Sequence, residues 1–127
     1  MSFSIITDSS GETRVTVYQG AKLCEDDVDS FEEEIASADI LLINNEVPEE
    51  VNIKAAKIAK ENETKIILNP APARNICPYL LENVDIFTPN EFEASVLSEK
   101  ENLIITLGEK GCFIKEIKET IPSFKID

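Results

Sequence analysis

The sequence predicts an α/β fold: a mostly parallel sheet flanked by helices, with an N-terminal β-hairpin and a C-terminal β-hairpin. Three observations carry that reading. Residues 39–44 (Asp-Ile-Leu-Leu-Ile-Asn) and 65–68 (Lys-Ile-Ile-Leu) are nearly continuous apolar runs of strand length, the pattern of strands covered on both faces. Between them Val51, Ala55, Ile58 and Ala59 recur at helical spacing. Residues 3–7 and 13–18 instead alternate and are rich in β-branched side chains. A hairpin, then β-α repeats, then a second hairpin implies helices laid on the faces of a parallel sheet. At 127 residues the chain has room for one domain, 1–127, and for burying roughly two-thirds of its unfolded surface.

The polar link of residues 8–12 joins the first two strands as a hairpin, and Gly20 ends it. Residues 26–37 predict one acidic amphipathic helix, with Val28, Phe31 and Ile35 as its apolar stripe. Pro48 opens a second helix at the position proline tolerates, followed by Glu49 and Glu50 in the first turn. The strand at 65–68 is stopped by Asn69, Pro70, Ala71 and Pro72. A short helix over 77–83, a strand over 84–87 ended by Pro89, a short helix over 90–97 and a strand over 103–107 follow. Residues 108–111 turn the chain into 112–117, and a last extended segment covers 121–126. The sequence shows no internal repeat, low-complexity segment or linker.

The formal net charge is −13, with 25 acidic residues against 12 basic ones. No nucleic-acid groove and no anionic-membrane partner is expected, because both need a basic face. Histidine is absent, which excludes Ser-His-Asp and Cys-His nucleophile pairs, HExxH metallohydrolases and Cys/His zinc fingers. Seven acids fall within residues 25–34, but the glycine of an EF-hand calcium loop is missing there. They read as the solvated face of the helix. Cys24, Cys77 and Cys112 are odd in number, far apart and free of any C-x-x-C spacing. Reduced thiols are therefore expected, not a disulfide framework or a metal knuckle. The first residues lack a basic leader with a long apolar stretch, and no apolar run reaches membrane-spanning length. A soluble, cytoplasmic protein is the expectation.

Ligands of parallel α/β sheets bind beyond the carboxyl ends of the strands. Chemistry is therefore expected at residues 44–46, 69–72, 88–93 and 106–111. Glu46 puts a carboxylate directly after a buried strand, where it either accepts hydrogen bonds from a polyol or only complements the dipole of the next helix. Residues 69–74 form a proline-stiffened turn that shapes a crevice or simply ends a strand. Asn90 and Glu93 lie one helical turn apart. They can face one ligand together, with Glu93 holding a magnesium-bound water beside phosphates, or form a capping box; the two uses are compatible. Thr106, Gly108 and Gly111 frame a glycine turn that lacks the G-x-x-x-x-G-K-[ST] pattern and leads into a strand, which excludes a Walker-type P-loop. That turn either lets a nucleotide approach the backbone or is a plain hairpin turn.

Several of these stretches, taken in order, resemble the ribokinase group of the PfkB carbohydrate kinase family. They are Gly11-Glu12-Thr13-Arg14, Ala38-Asp39-Ile40-Leu41-Leu42, Asn69-Pro70-Ala71-Pro72-Ala73, Thr88-Pro89-Asn90-Glu91 and Thr106-Leu107-Gly108-Glu109-Lys110-Gly111. The resemblance covers nearly the whole chain. It implies a partial ribokinase-like three-layer fold, with residues 1–20 as a lid-like hairpin and 21–127 as a portion of the α/β core. It also implies ATP-dependent phosphorylation of a sugar hydroxyl. Glu46 aligns with the family's sugar-contacting glutamate. Asn90 and Glu93 match the Asn-x-x-Glu motif of the magnesium–phosphate site, and Thr106, Gly108 and Gly111 match the turn lining the nucleotide pocket. The implied cofactors are ATP and Mg²⁺, with a monovalent cation that often activates the ribokinase branch; the implied partner is a sugar substrate.

The departures from the family pattern set a second expectation. The family's N-terminal part, with its sugar-binding aspartate and Gly-Gly stretch, has no counterpart here, and Asp127 falls just short of the family's Gly-Ala-Gly-Asp. That motif supplies the anion-hole amides and the aspartate base, so no catalytic residue is assigned and a truncated chain, inactive alone, is expected. Only residues 98–102 separate the Asn-x-x-Glu helix from the next strand, where the family carries a longer segment, and Lys22 stands where its Gly-Ala-Asn has the asparagine. An alternative is a non-catalytic remnant that binds or oligomerises. The lid-like hairpin resembles the element through which ribokinase-like proteins dimerise, and uncovered strand edges favour self-association. An acidic receiver-like or flavodoxin-like domain fits poorly, since an opening hairpin is out of place in that topology.

Overall fold

The computed structural model describes residues 2–9, 13–18 and 20–124. As the alternation predicts, β1 (Ser2–Thr7) and β2 (Thr13–Tyr18) pair antiparallel, with Thr7 opposite Thr13. Residues 10–12 of the expected link and 125–126 of the last extended segment lie outside the described residues. Residues 4–9 and 13–16 are all exposed, so the hairpin buries none of these side chains.

The acidic segment folds as two short helices where the sequence predicts one. α1 (Glu25–Asp29) ends in a turn at Ser30 and Phe31, and α2 (Glu32–Ser37) restarts beyond it. Residues 25–34 hold no base, so no oppositely charged i,i+4 pair supports a continuous helix. Val28 is buried and Ile35 half-buried, but Phe31 is exposed, so the expected stripe loses its middle member. Asp27 closes the start of α1: its Oδ2 accepts from the Cys24 N–H at 2.7 Å. That bond holds the Asp27 carboxyl below the usual carboxylate range.

β3 (Ile40–Asn44), β4 (Lys65–Asn69) and β5 (Ile86–Phe87) form a parallel sheet in that order. The expected strand at 84–87 is shortened at its start, because the Val84 N–H still belongs to the preceding helix, donating to Leu80 O at 3.0 Å. β6 (Ile104–Thr106) continues the sheet through parallel bridges of Phe87 with Leu103 and Asn90 with Thr106. β7 (Cys112–Ile114) folds back antiparallel on β6 as the expected closing hairpin, shorter than the expected 112–117; a turn at residues 115–118 then leads into β8 (Glu119–Ile121), which pairs with β7 and lies earlier than the extended segment expected over 121–126.

The connections are α3 (Glu49–Glu61), α4 (Pro78–Asn83) and α5 (Glu91–Ala94), the last continued by a 3₁₀ turn at Ser95–Leu97. The predicted stripe of α3 (Val51, Ala55, Ile58 and Ala59) is buried throughout. Strand order follows chain order, so right-handed crossovers lay all three helices on one face of the sheet. There Ile43, Ile66, Leu68 and Phe87 pack with Ala56, Ala59 and Leu80 in the main core. α1 adds Val28 to a second cluster with Val51, Ala55 and Ile58.

The opposite face carries Leu42, Ile67 and Ile86 in register across three strands, and no described helix lies on it. Two-sided burial, expected for residues 39–44, is therefore met on one side only: Ile40 is 55% and Leu42 69% exposed. Of the three layers of the expected fold, the described chain holds the sheet and one helical layer.

Candidate functional site

β3 to β6 run the same way, so their carboxyl ends share one edge of the sheet, and every candidate residue follows or ends one of these strands. Glu46 stands in the turn after β3, Asn90 follows β5, Thr106 ends β6, and Gly108 and Gly111 come directly after it. The structure brings Asn90 and Thr106 together as bridge partners, with the Thr106 N–H donating to Pro89 O at 2.8 Å. Glu46 is apart from them. Three strand spacings separate β3 from β6, roughly 14 Å.

The rim between β3 and β4 is tightly stitched. Asn45 is buried and donates from Nδ2 to Pro70 O at 2.9 Å and to Pro72 O at 3.1 Å, while its N–H reaches Ala71 O at 3.0 Å. Asn69 Oδ1 accepts from the Ala71 N–H at 3.1 Å. Asn52, buried on α3, donates to Asn44 O at 2.6 Å, and Arg74 donates to Val47 O at 2.9 Å. These bonds tie the proline turn to the β3 loop and fix where Glu46 leaves the sheet. The Glu46 N–H donates to Asn44 Oδ1 at 2.9 Å, while its exposed carboxylate has no bonded partner among the described residues. The sequence places Asn45 within the expected stretch 44–46 without a role of its own, and gives Asn52 none. The available signal was the pair Asn44-Asn45 after an apolar strand, where a buried amide must find carbonyls.

Asn90 and Glu93 form a reciprocal cap. Asn90 Oδ1 accepts from the Glu93 N–H at 2.8 Å, and Glu93 Oε2 accepts from the Asn90 N–H at 2.9 Å. Glu93 is 6% exposed, and no buried polar side-chain atom among the described residues lacks a partner, so its unbonded Oε1 is the oxygen that meets solvent. Among the described residues no three acidic or thiol side chains cluster closely enough to hold a metal by themselves. A magnesium ion would fit this edge only where phosphate oxygens and water supplied most of its ligands.

The glycine turn is a 3₁₀ turn (Gly108–Lys110) closed by the Gly111 N–H donating to Gly108 O at 3.0 Å and by the Leu107 N–H donating to Gly111 O at 2.8 Å. A Cβ at Gly108 would meet nothing within 4 Å, whereas one at Gly111 would lie 1.9 Å from Ile121 O. Two cavities lie off the line of candidates. One of about 170 Å³ sits beside Arg74 and Leu97. The other, about 220 Å³, sits among Lys60, Lys65 and Asp85 at the opposite, amino edge. No helix among the described residues is long and apolar enough to cross a membrane.

The chain is 43% identical over 122 residues to a bifunctional ribokinase/ribose-5-phosphate isomerase A of Fructilactobacillus sanfranciscensis, covering 92% of this chain and 23% of that protein. It is 37% identical over 136 residues to a ribokinase of Haemophilus influenzae, covering 90% of this chain and 44% of that one. The crystal structure of ribokinase from Thermotoga maritima superposes with a TM-score of 0.75 at 29% identity, over 96% of this chain and 48% of that chain. The chain thus spans less than half the length of these relatives. The model of the pfkB family carbohydrate kinases matches residues 2–125. So little of the sequence falls outside that match that the assignment concerns the whole chain, which belongs to the pfkB family of carbohydrate kinases.

Proposed function

We propose that this chain forms the sugar- and nucleotide-facing edge of a ribokinase-like sugar kinase, and that it does not transfer phosphate by itself. The supporting observation is the shared carboxyl edge, with an unbonded Glu46 carboxylate toward one end and Asn90, Thr106 and Gly108 toward the other. In this reading Glu46 accepts hydrogen bonds from sugar hydroxyls. Asn90, its Oδ1 engaged in the cap, presents its amide N–H groups to phosphate oxygens. Thr106, Gly108 and Gly111 line the nucleotide, with open space at Gly108 admitting close approach to the backbone. ATP is the nucleotide, and Mg²⁺ arrives with it, Glu93 holding one of its waters. The monovalent cation implied by the ribokinase branch has no ligand set assigned on this chain.

Phosphoryl transfer also needs a base for the sugar hydroxyl and amides aimed at the transferred group. The family draws both from Gly-Ala-Gly-Asp, and no such run occurs in these 127 residues. Calorimetric titration with ATP and Mg²⁺, paired with an ATP-consumption assay on pentoses and hexoses, tests the reading. Binding near about 1 mM, weakened by Thr106→Val and unchanged by Glu46→Gln, with no consumption above background, is the expected result. Turnover at roughly 1–100 per second would refute the inactivity, and no ATP binding at all would remove the nucleotide edge.

A second reading, a self-associating module, is favoured by the hairpin: Ile5, Ile6 and Val15 are 57%, 65% and 56% exposed. Light scattering should show a dimer that Val15→Lys, on the face Val15 shares with its cross-strand partner Ile5, converts to monomer. A monodisperse monomer before substitution contradicts this reading.

A further inference from the structure

The row of Leu42, Ile67 and Ile86 changes character at the carboxyl edge. Side chains two residues further along a strand lie on the same face, so Asn44, Asn69 and Thr88 are the next step of that row. Asn44 and Asn69 are partners in register, and the Thr88 N–H donates to Leu68 O at 2.9 Å, which keeps Thr88 alongside β4. Three apolar side chains thus give way to two amides and a hydroxyl, spread over about 10 Å from β3 to the end of β5. The row runs from the Glu46 turn toward Asn90.

Each of the two amides is held by its oxygen and unbonded at its nitrogen. Asn44 Oδ1 accepts from the Glu46 N–H at 2.9 Å, and Asn69 Oδ1 accepts from the Ala71 N–H at 3.1 Å. Neither Nδ2 has a bonded partner among the described residues, and neither has Thr88 Oγ1. Asn45 and Asn52, on the same rim, instead direct their Nδ2 groups to backbone carbonyls within the fold. The rim therefore divides its amides into two that stitch the loops together and two whose donors stay available. Asn44 and Asn69 are exposed and Thr88 is half-buried, so all three can meet a ligand.

Charge decides which acceptor suits these donors. The turn bond sets Asn44 beside Glu46, whose carboxylate has no ion pair among the described residues. The nearby Arg74 guanidinium donates to Val47 O, and the row itself holds no cation. An anion would meet the Glu46 charge uncompensated, whereas a neutral hydroxyl accepts from an amide and donates to a carboxylate.

We propose that Asn44, Asn69 and Thr88 are sugar-contacting residues. The two amides donate to hydroxyl oxygens of a neutral polyol whose other hydroxyls donate to Glu46, and the Thr88 hydroxyl meets the end of the sugar turned toward Asn90. The row thereby sets which hydroxyl faces the phosphate end of the edge. This deepens the reading of Glu46 as a sugar-binding group and rests on it.

The test follows the side-chain Nδ2 and backbone amide resonances of the 127-residue chain by NMR as D-ribose or, separately, inorganic phosphate is added. The expected result is a saturable shift of the Asn44 and Asn69 Nδ2 groups with ribose and none with phosphate. Asn44→Asp and Asn69→Asp keep an oxygen for the turn bond and replace the donor by an acceptor, so each should weaken ribose binding by about tenfold. Thr88→Val, of the same shape without the hydroxyl, should weaken it by about threefold. The proposal is overturned if ribose moves the Glu46 backbone amide and neither Nδ2 group, or if both Asp variants bind ribose as tightly as the unsubstituted chain; either result leaves the Glu46 reading in place. Shifts of the Nδ2 groups with phosphate and not with ribose overturn it as well. An absence of any ribose-induced shift on this edge removes the row and the sugar reading of Glu46 together.

Discussion

Gly111 holds φ at +95°, and a Cβ there would run into the backbone of residues 121–123. Gly108 holds φ at +58° with open space around it. Gly111→Ala should therefore destabilise by about 2–4 kcal/mol, combining backbone strain with a forced shift of β8, while Gly108→Ala should cost only about 1 kcal/mol of left-handed strain. Urea unfolding of the two variants reads the difference, and equal losses would contradict the packing role of Gly111. Asp85 makes a separate prediction. Burial opposes its ionisation, but the Ile66 N–H at 2.8 Å and the Lys65 ammonium at 3.3 Å outweigh it and hold its carboxyl below the usual range. A carboxyl lowered in the folded state contributes stability above its unfolded value near about 4, and the contribution is lost as pH falls through the folded value. Asp85→Asn should cost stability at neutral pH and flatten the acid limb of the unfolding curve. A loss of the same size at pH 7 and at pH 2 would contradict the linkage.

At the scale of elements, α3 was legible because its stripe, its opening proline and its first-turn acids all agree. Its end was not. Asn62 caps the helix and Glu63 takes the left-handed position at φ +60°, with the Thr64 N–H donating to Ala59 O at 2.9 Å. Glycine is the ordinary residue there, so Glu63→Gly should stabilise by about 0.5–1 kcal/mol; a fall in the thermal midpoint would contradict that cap. The single acidic helix was misread because apolar spacing registers Phe31 as core, while the carboxylate run gives the backbone no charge pair across the turn at Ser30. Within the candidate site, the Asn90–Glu93 spacing announced its cap three residues apart. Asn45 shows in the sequence only as an amide after an apolar strand, since its carbonyl partners lie 25 and 27 residues away and only the folded rim brings them near. Local pairs are written in spacing; long-range stitching is not.

Across the whole molecule, the sheet sorts its chemistry by edge. The carboxyl edge carries Glu46, Asn90, Thr106 and the glycine turn, and the amino edge carries the Lys65–Asp85 pair. Strand direction follows from apolar runs alternating with helices, and the parallel pairing of β3, β4 and β5 agrees with it. The sequence did not show that one face would stand bare, because an apolar strand reads the same whether or not its cover belongs to the same stretch of chain. The kinase account therefore depends on nucleotide meeting the carboxyl edge. Amide-resolved NMR during titration with ATP and Mg²⁺ tests this most directly. The account predicts shifts concentrated at Asn90, Thr106, Gly108 and Gly111, with ribose then moving Glu46. Shifts confined to Lys60, Lys65 and Asp85, on the opposite edge, would contradict it.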